Sequence, residues 1–228
     1  MVDTLRWLAL EVKYLDRAQS FYEGFLELDV VGDAEYETVL DAGGTELILR
    51  APGPVPRGGI HTHYAFSIPR EAYDSWYSRL DDRFDLVEET FGNDRSLYFY
   101  DMEGNCVELG ESDVAGPGVG GIFEVVLEVE DLDRAQPFYE RLGFGTVDEG
   151  DDRERVRMSA GGFDIELWEP HLGLADARGG VHVDMGVGTA DAAASVQAVS
   201  EEALTTAETD GGYRLRDPDG HYISLLEK

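Results

Sequence analysis

A chain of 228 residues can form one large or two small globular domains, and an apolar fraction of 43% suffices for a buried core, which excludes a disordered chain. Forty-eight acidic residues against 18 basic ones leave a formal net charge of −30, so nucleic acid is excluded as an expected partner because its phosphates would be repelled. No run approaches the roughly 18 apolar residues of a membrane span, which removes a membrane as an expected partner, and the single cysteine, Cys106, excludes an internal disulfide.

The opening stretch, residues 1–16, lacks a basic start and a small-residue cleavage site, so no signal peptide is expected there. Together with the lone cysteine this points to the cytoplasm. Leu8, Leu10 and Val12 alternate with other residues as a strand requires. Residues 16–26 carry Ala18, Phe21, Tyr22 and Phe25 at helical spacing. Residues 35–40 and 46–49 read as strands flanking the turn Ala42-Gly43-Gly44. A strand over 61–68 and a helix over 70–80 follow, then short strands near 85–90, 96–100 and 106–109. Between the last two, residues 101–105 form a turn with Gly104 where positive φ is cheap.

The chain then repeats itself. Leu10-Glu11-Val12, Leu15-Asp16-Arg17-Ala18-Gln19 and Phe21-Tyr22-Glu23 return as Leu127-Glu128-Val129, Leu132-Asp133-Arg134-Ala135-Gln136 and Phe138-Tyr139-Glu140, at a constant offset of 117. Ala42-Gly43-Gly44 returns as Ala160-Gly161-Gly162, Arg57-Gly58-Gly59 as Arg178-Gly179-Gly180, and Asp101 with Gly104 as Asp217 with Gly220. Landmarks recurring in unchanged order mark a duplication. The expected domains are residues 1–115 and 122–228, joined by a Gly/Pro linker over 116–121.

The repeated strand, the helix ending in Phe-Tyr, the late Asp-x-x-Gly turn and the final x-Glu-Leu strand resemble the vicinal-oxygen-chelate superfamily of glyoxalases, bleomycin-resistance proteins and extradiol dioxygenases. The resemblance spans nearly all of both copies. It implies an α+β fold of two tandem domains, four βαβββ units forming cupped mixed sheets. In the glyoxalase I-like branch it also implies four metal ligands, one from each of four strands. The corresponding positions in copy two are Glu124, Glu166, His182 (or Asp184 if the glycines are aligned strictly) and Ser224; in copy one they are Trp7, Ile48, His63 and Glu108. Neither set is complete. Pairing the second half of copy one with the first half of copy two unites His63, Glu108, Glu124 and Glu166, and leaves Trp7, Ile48, His182 and Ser224 in a cup expected to be apolar and metal-free. The family usually has His or Gln at the first position, so Glu124 is a departure.

The resemblance implies one divalent ion (Zn, Ni, Mn, Fe or Co), since one imidazole and three carboxylates make a mostly hard site. Three converging carboxylates would repel one another unless a cation neutralised them. The implied function is a glyoxalase-like lyase or isomerase, in which the metal polarises a chelated carbonyl while Glu108 or Glu124 moves the proton. An extradiol-type ring-cleaving dioxygenase and a metal-free small-molecule binding or resistance protein are the alternatives. The expected partner is a small-molecule substrate, and the chain is a monomer or homodimer. His61, Tyr98, Tyr100 and Cys106 are further candidates for the pocket: His61 and Cys106 share strand faces with His63 and Glu108, and the tyrosines alternate with Leu97 and Phe99. Trp168 and His171 are candidates for its mouth, and Arg50, Arg57 and Arg178 for countering an anionic substrate. Scattered acids with only Lys13 and Lys228 as lysines resemble a halophilic composition, in which molar salt screens self-repulsion.

Overall fold

The computed structural model describes residues 1–59, 61–150, 154–170 and 179–228. The first repeat runs β1 (Val2–Glu11), α1 (Leu15–Leu26), β2 (Asp29–Ala34), β3 (Glu37–Asp41) and β4 (Glu46–Arg50). It continues with β5 (His63–Pro69), a 3-10 turn (Arg70–Ala72), α2 (Tyr73–Asp81), β6 (Val87–Phe91), β7 (Asp94–Tyr100) and β8 (Cys106–Ser112). The second repeat copies this order as β9 (Gly121–Glu128), α3 (Leu132–Leu142), β10 (Gly145–Asp148), β11 (Arg155–Ser159) and β12 (Asp164–Trp168). It ends with β13 (Asp184–Thr189), α4 (Ala192–Val199), β14 (Thr205–Thr209), β15 (Gly212–Arg216) and β16 (Tyr222–Glu227). Strands β2 and β10, counted in the βαβββ units but given no bounds from the sequence, are largely solvent-facing, so neither carries a hydrophobic alternation that would reveal it.

The α+β expectation of four βαβββ units holds. They assemble into two eight-stranded mixed sheets, ordered β10-β11-β12-β9-β5-β8-β7-β6 and β14-β15-β16-β13-β1-β4-β3-β2. Each sheet takes half of its strands from each repeat: β5 pairs antiparallel with β9, and β1 with β13. Within each unit the first and last strands run parallel, as in β5 beside β8 and β9 beside β12.

Period-two alternation sorts the side chains of these central strands. Leu8, Leu10, Tyr64, Phe66, Val125 and Leu127 point to one side, where they are fully buried with Tyr22 and Leu26 of α1 and Phe138, Tyr139 and Leu142 of α3. The intervening residues face the concave side of each sheet. Polar groups on a strand buried on both faces are therefore delivered to the two cups and not to solvent. No helix among the described residues is long and apolar enough to cross a membrane.

Candidate metal centre

The cup of the β10–β6 sheet gathers the four expected residues from four adjacent strands. In register, Ala65 of β5 lies between Glu108 of β8 and Glu124 of β9, while His63 lies between Cys106 and Val126. One strand further, Val126 is opposite Glu166 of β12. His63, Glu108, Glu124 and Glu166 thus share one face. They line one cavity of ≈ 580 Å³ together with His61, Tyr98, Tyr100, Cys106, Phe123, Arg155, Arg157 and Trp168. His63, Glu108 and Glu124 are each at most 7% exposed.

His63 Nε2 lies 3.6 Å from Glu108 Oε2. On the other side of the cup, Glu124 Oε2 is 3.1 Å from Arg157 Nη2, and Glu166 Oε1 is 2.9 Å from Arg155 Nη1. Glu166 Oε2 accepts a hydrogen bond from Trp168 Nε1 at 2.8 Å. Both arginines stand on β11, whose Arg157 is in register with Glu166 and Arg155 with Trp168. Each has a further carboxylate: Asp164 for Arg157 at 2.7 Å and Asp148 for Arg155 at 2.5 Å. Burial and then the charge of Glu166 push the Glu124 carboxyl up to about 8 against the pull of Arg157, with Glu108 and Asp164 adding to the rise. Burial, followed by the charge of Glu108, also raises the phenol of Tyr98.

These observations correct one expectation. The carboxylates do not rely on a metal alone, because Arg155 and Arg157 already supply positive charge. As the side chains stand, no group of three or more His, Cys, Asp or Glu among the described residues is arranged around a single point. The donor chemistry nevertheless fits a divalent ion: Glu124 senses both Glu108 and Glu166, Glu108 adjoins His63, and all four face one cavity. The arginine pair escaped the sequence reading because charges on a strand near a sheet edge read as a solvated face. Its available signal was the alternation Arg155-x-Arg157, which sets Arg157 opposite Glu166 and Arg155 opposite Trp168.

The secondary candidates divide. Tyr98, Tyr100 and Cys106 line the cavity, the ring of Tyr98 lying 5.9 Å from that of His63. His61 also reaches it, but it is not on β5: it precedes the strand in a left-handed conformation at φ 57°, so strand alternation does not place it. Trp168 lines the cavity as expected, whereas His171 and Arg178 lie outside the described residues.

In the other cup, the strict glycine alignment proves correct. Asp184 pairs with Tyr222 as His63 does with Cys106, so Asp184 and not His182 is the counterpart of His63. Ser224 matches Glu108, Trp7 matches Glu124 and Ile48 matches Glu166. The Trp7 indole covers Gly186, where any added Cβ would fall 2.2 Å from the ring. The expectation of an apolar filling fails, however. Asp184 is fully buried and its Oδ2 receives Arg50 Nη1 at 2.7 Å and Arg57 Nε at 3.0 Å. A carboxylate this deep needs paired charge to offset its lost hydration, which is why both arginines turn inward.

No family model matches the chain. Curated relatives do. Metallothiol transferase FosB of Shouchella clausii is 32% identical over 120 residues, covering 48% of this chain and 80% of the relative. FosB of Staphylococcus haemolyticus is 28% identical over 119 residues, covering 48% and 84%. Among solved structures, glyoxalase I from Zea mays superposes with a TM-score of 0.71 at 18% identity, covering 98% of this chain and 92% of that one, a likeness of fold. With the duplicated βαβββ units, the shared cups and a relative about one third identical over most of its length, the chain belongs to the vicinal-oxygen-chelate superfamily.

Proposed function

We propose that the protein is a divalent-metal-dependent enzyme acting on a small molecule in the β10–β6 cup. The observation that carries this reading is the convergence of His63, Glu108, Glu124 and Glu166 from four adjacent strands on one cavity. These four residues would hold the ion, which would act as a Lewis acid on a chelated oxygen. Glu108 and Glu124, which face the same cavity, are the candidates for taking and returning a proton at that oxygen. Phe123 and Trp168 line the cavity with apolar surface, and ≈ 580 Å³ suits a metabolite-sized ligand.

Proton transfer of the glyoxalase type is the first reading. Transfer of a thiol is the second, supported by the FosB relatives, whose printed name is metallothiol transferase. The test is metal content and metal titration of the purified protein beside H63A and E108Q. One equivalent should bind the native chain, and each substitution should weaken it beyond the roughly 10–100-fold typical of losing an outer partner. Equal binding in all three would overturn the metal reading. The metal-loaded protein should then be offered a hemithioacetal, and separately an epoxide with a thiol. Isomerisation of the former selects proton transfer, and consumption of the thiol selects the second reading.

A further inference from the structure

The two cups differ in the residues at matching positions. Register equates Tyr98 with Arg214, since they face Glu108 and Ser224, and Tyr100 with Arg216, since they face Cys106 and Tyr222. The carboxylates Glu108, Glu124 and Glu166 become Ser224, Trp7 and Ile48. Three of the four metal positions have therefore lost a carboxylate, the fourth has exchanged His63 for Asp184, and the neighbouring strand has gained two arginines.

We propose that this second cup is an oxyanion site, floored by Trp7 and walled by Arg57, Arg214 and Arg216, that takes a phosphate- or carboxylate-bearing small molecule. Arg57 and Arg216 lie 5.8 and 5.2 Å from the ring of Tyr222, and Arg214 Nε reaches Ser224 Oγ at 3.4 Å. Among the described residues, Arg50 and Arg57 are the arginines committed to the buried Asp184, Arg50 also to Glu37. Among the described residues neither Arg214 nor Arg216 makes an ion pair, although the chain carries 48 acids. The Nε of Arg216 is buried with no hydrogen-bond partner, a donor left for something other than this chain. Crowding is evident at Arg57: burial lowers its affinity for a proton, Asp184 opposes this, and Arg50 and Arg214 lower it further. A divalent oxyanion would relieve that repulsion with charge-assisted bonds from planar guanidinium groups. Glu46, opposite Trp7, and Glu11, opposite Arg50, are acids on the same face, at the two ends of the paired stretch.

The three tryptophans make the test direct, because Trp7 reports this cup, Trp168 the metal cup, and Trp76, whose Nε1 bonds Pro117 O, neither. Inorganic phosphate and succinate are titrated into the full-length ¹⁵N-labelled protein at constant ionic strength, following the indole N–H signals. A saturable shift at Trp7, with Trp168 and Trp76 still, is expected for at least one anion, and the stronger response tells phosphate from carboxylate recognition. R214Q/R216Q should weaken binding about tenfold or more. A saturable shift confined to Trp168, no saturable shift at any indole, or unchanged affinity in the folded double variant would overturn the proposal. If that variant fails to fold, the native titration decides by itself.

Discussion

Glu124 is held by opposing forces: burial and Glu166 favour its proton, while Arg157 at 3.1 Å favours its charge. Its value near 8 lies above the 4.5 of an unperturbed glutamate, so between those pH values the folded state binds the extra proton. Stability from this group is therefore present at low pH and lost as pH rises through about 5 to 8. Urea denaturation of metal-stripped protein should show the native chain losing on the order of 2 kcal/mol more than E124Q over that range. Parallel pH dependences would mean that Arg157 keeps the carboxylate ionised throughout. An ion held at the same residue, as proposed, would have to expel that proton, so the proposed site and the stability of the metal-stripped cup would pull in opposite directions.

At the scale of elements, the repeated Phe-Tyr and Asp-x-x-Gly letters have one explanation. Tyr139 at the core face of α3 donates to Asp217 Oδ2 at 2.7 Å, and Asp217 Oδ1 accepts from the backbone N–H groups of Asp219, Gly220 and His221. In the first repeat Tyr22 of α1 donates to Asp101 Oδ2 at 2.6 Å, while Asp101 Oδ1 accepts from Glu103 and Asn105. A helix is thereby tied to the turn that launches the last strand of the other half-repeat, and that strand carries Glu108 in one case and Ser224 in the other. Each turn needs a glycine, with φ of 84° at Gly104 and 102° at Gly220. Y139F should cost about 1–3 kcal/mol in urea denaturation, because it strips a buried carboxylate of a donor. Y22F should cost less, since the Tyr64 hydroxyl, 2.6 Å from that of Tyr22, remains beside Asp101. Equal costs would show that Tyr64 offers no compensation.

For the whole molecule, charge dominates. A net charge of −30 on 25.2 kDa sets carboxylates at spacings within the Debye length of dilute buffer, roughly 30 Å at 0.01 M, whereas at 1 M that length is about 3 Å. Arginines relieve part of this through shared carboxylates: Arg70 and Arg95 both pair with the buried Glu111. These pairs are few beside 48 acids. The melting temperature should therefore rise by about 5–10 °C between 0.05 M and 2 M KCl, read by circular dichroism. An unchanged melting temperature would separate the acidity from any adaptation to salt.

The sequence by itself determined the duplication, because the same letters recur in unchanged order, while resemblance to the superfamily supplied the four βαβββ units and the candidate ligand positions. Alternation on β5, β8, β9 and β12 assigns His63, Glu108, Glu124 and Glu166 to a face wherever those strands lie. Resemblance to the superfamily supplied the pairing of half-repeats, and the sheet order bears it out. Only the tertiary structure decided what surrounds those residues. Arg155 and Arg157 look like solvated charges until β11 is set beside β12, and His182 looks like a ligand until register puts Asp184 in its place. Arg214 and Arg216 carry no local sign that they border a cup in which Ser224, Trp7 and Ile48 replace three carboxylates. The reason is physical: strand periodicity is a property of neighbouring residues, whereas the sign of the charge inside a cavity is summed over strands far apart in the chain.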